Sequence, residues 1–152
     1  MADSLVENLG LLGVFIAGAA PWLEAILVIP AGILLGLPAV WTVVLALLGN
    51  AITITLFAVG SERVLNSLSR WRARRGKVSV EDGCSIRARR IFVRYGDLGM
   101  AVVGPLIIGT QFAAAIAVSF GVGATRATLV QICGAAGWGL VAAYGAQFFG
   151  SI

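Results

Sequence analysis

The chain has 152 residues, of which 59% are hydrophobic and 12% are charged, and its mean hydropathy is +0.97. Because about a quarter of the residues of a soluble domain are charged, this composition excludes an ordinary soluble globular protein. The chain has no histidine and only two cysteines. A zinc site, a haem site or a histidine-based triad would lack its usual groups. We therefore expect no metal, no cofactor and no enzymatic activity.

Two long tracts of the sequence are almost free of charge. Residues 9–60 contain one acid or base, Glu24, and residues 98–152 contain one, Arg126. A helix that crosses a hydrocarbon core of ~30 Å needs about 20 predominantly apolar residues. Both tracts therefore predict segments that lie in a membrane.

Four apolar segments follow one another along the chain. They are residues 9–36, 38–60, 97–123 and 125–149. The first and third contain residues that break helices, Pro21 and Pro30 in the first and Pro105 and Gly109 in the third. The second and fourth have no such break. The pattern predicts an all-α integral membrane protein with two pseudo-symmetric halves, each a re-entrant helical hairpin followed by a transmembrane helix.

A polar segment at residues 61–96 separates the first half, 9–60, from the second half, 97–152, within a single membrane domain. Ten of the eleven basic residues lie in it, and the positive-inside rule places such a loop in the cytoplasm. Its first part is predicted to be an amphipathic helix, with Val64, Leu65, Leu68 and Trp71 at helical spacing. The basic cluster either serves topology alone or binds anionic lipid headgroups. The candidate headgroup ligands are Arg72, Arg74, Arg75, Arg89 and Arg90.

The two halves show a weak internal repeat. A shift of 86 residues places "LGLLG" (9–13) on "YGDLG" (95–99), and "LLGN" (47–50) and "AAGW" (135–138) end comparable stretches 88 residues apart. Glycine-rich apolar sequence also matches by chance, so a true repeat and a coincidence both stay open. A true repeat with broken segments at matching positions would indicate a transporter site near the membrane midplane.

Glu24 is the strongest candidate for a functional residue. An ionisable side chain inside a membrane is costly and is by default a functional hypothesis. Desolvation favours the neutral form of a carboxyl group, so Glu24 at the tip of the first hairpin could exchange a proton or bind a cation. The alternative is a solvated Glu24 near the headgroups, between two half-length helices.

The matching tip in the second half, residues 104–113, offers Thr110 and Gln111 as polar groups. A half-helix that begins after Gly109 would direct its N-terminal partial positive charge at an anion. Neutral polar residues in membrane helices also serve as hydrogen bonds between helices, so both roles are open. The predicted proton- or substrate-binding residues are Glu24, Pro30, Asn50, Thr110 and Gln111. Two further residues that could face the same cavity are Thr128 and Gln131.

These residues resemble the motifs of the bacterial small multidrug export protein family, which is related to the DedA (SNARE-associated) membrane proteins. Glu24, followed by Ile29-Pro30, is similar to the family's "E-L-R-G-A-I-P" stretch, and Gly49-Asn50 is similar to its "GN". Pro105 and Gly109-Thr110 are similar to a "P-x-P-G-T-G" stretch.

Two positions depart from these motifs. Ile26 stands where the family has an arginine, and Ile108 stands where it has a second proline. DedA proteins also carry arginines around their second hairpin, and this chain has none there.

The resemblance implies two re-entrant hairpins, inverted halves and a transport role in the bacterial inner membrane. For DedA relatives it implies dependence on the proton-motive force and translocation of lipid-linked phosphates. This chain lacks the arginines that would pair with such a phosphate.

Our leading hypothesis is a small polytopic transporter or lipid translocase, which could be proton-coupled, with a mid-membrane site around Glu24. Its expected partners are membrane lipids and a small-molecule or lipid substrate, with no nucleic acid. Because 152 residues form only a small bundle, we expect a homodimer. The alternative is a membrane scaffold or assembly factor that acts through its basic cytoplasmic loop.

Overall fold

The computed structural model describes residues 2–21, 23–74, 96, 98–106 and 108–150. These residues form six helices and no strands, which confirms the predicted all-α class for the described part of the chain. The helices are α1 (Ala2–Ala19), α2 (Ala25–Leu34), α3 (Ala39–Arg74), α4 (98–106), α5 (Thr110–Ser119) and α6 (Ala124–Gly150). Two of the described helical stretches, Ala39–Trp71 and Ala124–Phe149, are long and apolar enough to cross a membrane.

Helices α1 and α2 fold back on each other beside the first part of α3. The Thr53 hydroxyl donates a hydrogen bond to the Ala19 carbonyl at 2.6 Å, so the end of α1 lies against the middle of α3. Near the end of α2, a Cβ built on Gly32 would lie 2.7 Å from Thr42 Cγ2 and 3.2 Å from Val14 Cγ2. The chain therefore runs along α3 to the level of Thr53 and returns to the level of Thr42.

The hairpin breaks only partly follow the predicted proline positions. Pro21 lies in the break between α1 and α2, as predicted. The prediction of a break at Pro30 is wrong, because Pro30 lies inside α2. The helix continues past Pro30 although the Ile26 carbonyl loses its usual N–H partner. Pro105 likewise lies inside α4, and the second break falls at Gly109, whose φ is 95°.

Helix α3 is a single element of 36 residues. At 1.5 Å per residue it is about 54 Å long, well beyond a hydrocarbon core of ~30 Å. The spanning helix predicted at 38–60 and the amphipathic helix predicted after it are therefore continuous, since no proline interrupts the sequence between them. Exposed apolar side chains line the extension. They are Val64, Leu65, Leu68 and Trp71.

The same order of elements occurs in both halves. Helices α2 and α5 each have ten residues and begin 85 residues apart, and α3 and α6 also begin 85 residues apart. The turn before each long helix contains a glycine with positive φ, 84° at Gly36 and 92° at Gly121. Positive φ is strained for residues with a Cβ, which explains glycine at both turns.

Close contacts of two glycines indicate which positions of the two halves correspond. A Cβ on Gly49 would overlap the Phe15 carbonyl oxygen, and a Cβ on Gly134 would overlap the Ala101 carbonyl oxygen. These matching contacts pair Gly49 with Gly134. The alignment of "LLGN" with "AAGW" at a shift of 88 is therefore wrong, because it pairs Gly49 with Gly137, which has no atom within 4 Å of its Cβ position.

Helices α3 and α6 run antiparallel. The Ala124 N–H donates to Glu62 Oε1 at 3.5 Å, and a Cβ on Gly139 would lie 3.5 Å from Leu47 Cδ2. This register places Asn50 of α3 opposite Ala136 of α6, at the centre of the bundle. We call the end where α3 continues to Arg74 and α6 begins the loop end.

We predict that Gly49→Ala destabilises the protein by about 1–3 kcal/mol, the usual cost of overpacking, since the added Cβ overlaps backbone. The measurement is unfolding in detergent. The matched control is Gly60→Ala in the same helix, where no atom lies within 4 Å of the Cβ position. Because alanine favours helix over glycine by up to about 1 kcal/mol, the control should be neutral or stabilising. Equal losses in both variants would contradict the packing role.

Candidate functional site

The site is built around a bond between the two hairpin breaks. Glu24 immediately precedes α2, is 6% exposed, and accepts the first helical N–H groups of α2, those of Leu27 and Val28, with its backbone carbonyl. Its carboxylate makes no cap to its own helix. Instead, the backbone N–H of Thr110, the first residue of α5, donates to Glu24 Oε1.

The start of α5 provides a favourable position for a negative charge. Helix N-termini carry unpaired N–H groups and a partial positive charge. Gly109 is the residue before α5, and a Cβ there would lie 2.8 Å from Glu24 Oε1. The sequence predicted that a half-helix after Gly109 would face an anion, and the group at this position is the carboxyl group of the chain's own Glu24.

Three further buried groups complete a polar cluster with Glu24. The Thr110 hydroxyl oxygen lies 3.3 Å from Glu24 Oε1, from Asn50 Oδ1 and from Gln111 Oε1. Because a hydroxyl has one proton, it donates to one of these acceptors at a time. The Gln111 Nε2 donates to Asn50 Oδ1 at 2.8 Å. The cluster therefore joins α2, α3 and α5.

Two atoms of this cluster are buried without a hydrogen-bond partner among the described residues. They are the acceptor Glu24 Oε2 and the donor Asn50 Nδ2. A buried polar group without a partner costs about 1–3 kcal/mol. Such atoms indicate a site that receives a proton, water or a polar group of a ligand.

Glu24 lines a cleft of about 360 Å³ between the two hairpin breaks. Apart from Glu24, the side chains around the cleft are apolar, and no base is among its described lining residues. The lining residues are Pro21, Glu24, Ile26, Leu27, Pro105, Leu106, Ile108 and Gly109. The volume is within the range of small-molecule sites, roughly 300–1,000 Å³.

Thr128 and Gln131 do not line this cleft. They are buried on α6, and Gln131 Oε1 lies 3.9 Å from the Cβ position of Gly104 at the end of α4. Thr128 Oγ1 and both amide atoms of Gln131 have no hydrogen-bond partner among the described residues. They therefore form a second group of buried polar atoms.

The remaining predicted residues lie apart from the cluster. Pro30 belongs neither to the polar cluster nor to the lining of the cleft. Arg74 is the last residue of α3, Arg72 lies in its last turn, and Arg75, Arg89 and Arg90 fall outside the described residues. Sequence reasoning missed Leu106 in the cleft and Glu62 at the start of α6. Neither residue carries a local signal for these positions.

Comparison with protein-family models identifies the family of the chain. Residues 24–141 match the family described as "Putative small multi-drug export protein". The match covers more than half of the chain and begins at Glu24, so the chain belongs to this family and is a membrane protein of an export family. No curated protein and no solved structure matches the chain. The relation to DedA proteins stays a prediction.

We predict that Gly109→Ala disrupts the site more than Gly121→Ala does. Both glycines have positive φ, so both variants are strained by about 1–3 kcal/mol. Only Gly109→Ala adds a steric clash, because the new Cβ would lie 2.8 Å from Glu24 Oε1. The Cβ position of Gly121 has no atom within 4 Å.

The measurement combines unfolding with the reactivity of a cysteine placed at Ile26, which lines the cleft. We expect a changed reactivity in Gly109→Ala and an unchanged one in Gly121→Ala. The same change in both would mean that backbone strain alone governs the cleft.

Proposed function

We propose that the protein is a proton-coupled membrane exporter of small cationic or neutral amphipathic compounds, with Glu24 as the group that exchanges a proton for substrate. The observation that carries this proposal is the position of Glu24, buried between the two hairpin breaks with Oε2 unpartnered and the 360 Å³ cleft beside it. An acid at such a position is expensive to keep in a membrane unless it has a function.

The proposed topology has two re-entrant hairpins in a bacterial inner membrane. Helices α2 and α5 have ten residues each, about 15 Å at 1.5 Å per residue and half of a ~30 Å core. The antiparallel pairing of α3 with α6 supports inverted halves. The basic segment that follows α3 is on the cytoplasmic side by the positive-inside rule.

The lining of the cleft favours a cationic or neutral substrate over an anionic one. The one charged group among its described residues is a carboxylate, and Ile26 and Ile108 are apolar. A lipid-linked phosphate would meet no cation there, and its approach to Glu24 would be repulsive. A cation or a neutral amphipathic compound is better matched to an acid in an apolar cleft, so this proposal replaces the lipid translocase.

The competing hypothesis is a scaffold that acts through the basic loop, and it rests on different residues. The exposed apolar stripe on the α3 extension and the exposed Arg74 could bind anionic lipid. In that case Glu24 would be dispensable. A homodimer is compatible with both hypotheses, and neither depends on it.

We predict that Glu24→Gln reduces gradient-driven export by roughly tenfold or more, because the amide cannot release a proton. The measurement uses everted vesicles with an imposed proton gradient, with ethidium as cationic, Nile red as neutral and fluorescein as anionic probe. Fluorescein is expected not to move.

The matched comparison replaces Arg72, Arg74 and Arg75 by glutamine in the same vesicles. The exporter hypothesis expects this variant to retain export. Export that survives Glu24→Gln but is lost in the arginine variant would overturn the proposal in favour of the scaffold.

A further inference from the structure

We infer that Thr128 and Gln131 hold internal water and form the route by which protons pass between Glu24 and the loop end. This inference rests on the proposed proton coupling and extends it to residues outside the cleft. Thr128 is 9% exposed and Gln131 is fully buried. Three of their polar atoms, Thr128 Oγ1 and Gln131 Nε2 and Oε1, have no partner among the described residues.

These three atoms have the chemistry of a water site. A buried water makes about three hydrogen bonds, and an amide together with a hydroxyl supplies both donors and acceptors. Neither side chain carries a charge, so the position suits water better than an ion. Leaving the three atoms unpartnered would destabilise the fold.

The two residues lie in line between the site and the loop end. In the antiparallel register of α3 and α6, Asn50 is opposite Ala136. At 1.5 Å per residue, Gln131 is about 7 Å and Thr128 about 12 Å from that level toward the loop end. The line ends at Ala124, whose N–H donates to the half-buried Glu62 at 3.5 Å.

The end of α4 connects Gln131 with the Glu24 site. Gln131 Oε1 lies 3.9 Å from the Cβ position of Gly104, whose carbonyl accepts the Gly109 N–H at 2.9 Å. The Cβ position of Gly109 in turn lies 2.8 Å from Glu24 Oε1. Gln131 thus lies beside Gly104, and Glu24 lies beside Gly109, the hydrogen-bonded partner of Gly104.

The first half lacks the corresponding polar residues. At the shift of 85 residues that relates the long helices, Val43 and Ala46 correspond to Thr128 and Gln131. Both are apolar, so among the described residues these two positions are polar on α6 and not on α3. This asymmetry gives the proton a route between Glu24 and the loop end that is separate from the apolar cleft.

No other described charge competes with Glu24 along this route. The described parts of α1 from residue 9, α2, α4 and α5 contain no ionisable side chain. On α3 and α6 the described ionisable residues are exposed or half-buried. They are Glu62, Arg63, Arg70, Arg74, Arg126, Cys133 and Tyr144.

The test measures how fast the Glu24 carboxyl group exchanges its proton for deuterium, by infrared spectroscopy of the full chain in lipid nanodiscs. The carboxyl band of Glu24 is assigned by its loss in Glu24→Gln. We expect Gln131→Met and Thr128→Val to slow this exchange by roughly tenfold or more, as removal of a relay position should. Both variants replace a polar side chain by an apolar one of similar shape, which is near neutral for folding when no protein partner is lost.

Two variants serve as controls. Thr42→Val removes a buried threonine that already has a partner, since its hydroxyl donates to the Pro38 carbonyl at 3.0 Å. In this variant the Glu24 carboxyl group should exchange its proton as fast as in the unaltered chain. Gln131→Asn keeps an amide and should restore exchange relative to Gln131→Met.

Unchanged exchange in Gln131→Met would overturn the route and leave the cleft as the way to Glu24. Equal slowing in Thr42→Val, or the absence of a protonated Glu24 band at any accessible pH, would also overturn it. The proposed exporter fails separately, through export that persists in Glu24→Gln, so the two failures are distinguishable.

Discussion

The bond from the Thr110 N–H to the Glu24 carboxylate is the interaction on which the centre of the molecule depends. It joins the break of one hairpin to the break of the other, at the middle of the two long helices. Each break leaves backbone groups without helical partners, and in an apolar environment these groups must find partners within the protein. Glu24 satisfies the start of α5 and is itself held in place by it.

Glycines make this approach of backbone to side chain possible. Gly109 leaves room for the carboxylate, while Gly49 and Gly134 let the hairpins pack directly on the two long helices. Interfaces of this kind depend on close backbone contact because lipid supplies no hydrophobic drive between membrane helices. Even the fully buried apolar side chains are few and of moderate size, with Ile29 and Ile54 the largest.

The two halves share their order of helices but differ in chemistry. The first half supplies the acid, Glu24, and the second supplies the helix N-terminus that binds it. The long helices differ as well, since Val43 and Ala46 correspond to Thr128 and Gln131. Such differences are compatible with the proposed function, in which the substrate would use the cleft and the proton would use the side of α6.

The amino-acid sequence was enough to predict the all-α class and the apolar segments and to single out Glu24, because an isolated charge in a long apolar tract is visible without a structure. It also indicated Asn50, Thr110 and Gln111, which the fold brings within hydrogen-bond distance of one another or of Glu24. The position of the breaks was harder to predict: Pro30 and Pro105 stay within helices because a missing N–H need not end a short helix that neighbouring elements support.

The hydrogen-bond partners of these residues followed from the packing of the helices. The pairing of Glu24 with Thr110 links residues 86 positions apart, and no local pattern specifies it. The correspondence between Gly49 and Gly134 depended on which glycine touches a neighbouring backbone, a contact that glycine-rich sequence does not reveal. That Gln131 and Thr128 have buried polar atoms without a partner among the described residues likewise became visible only in the packed bundle, since burial and hydrogen bonding are properties of the packed bundle.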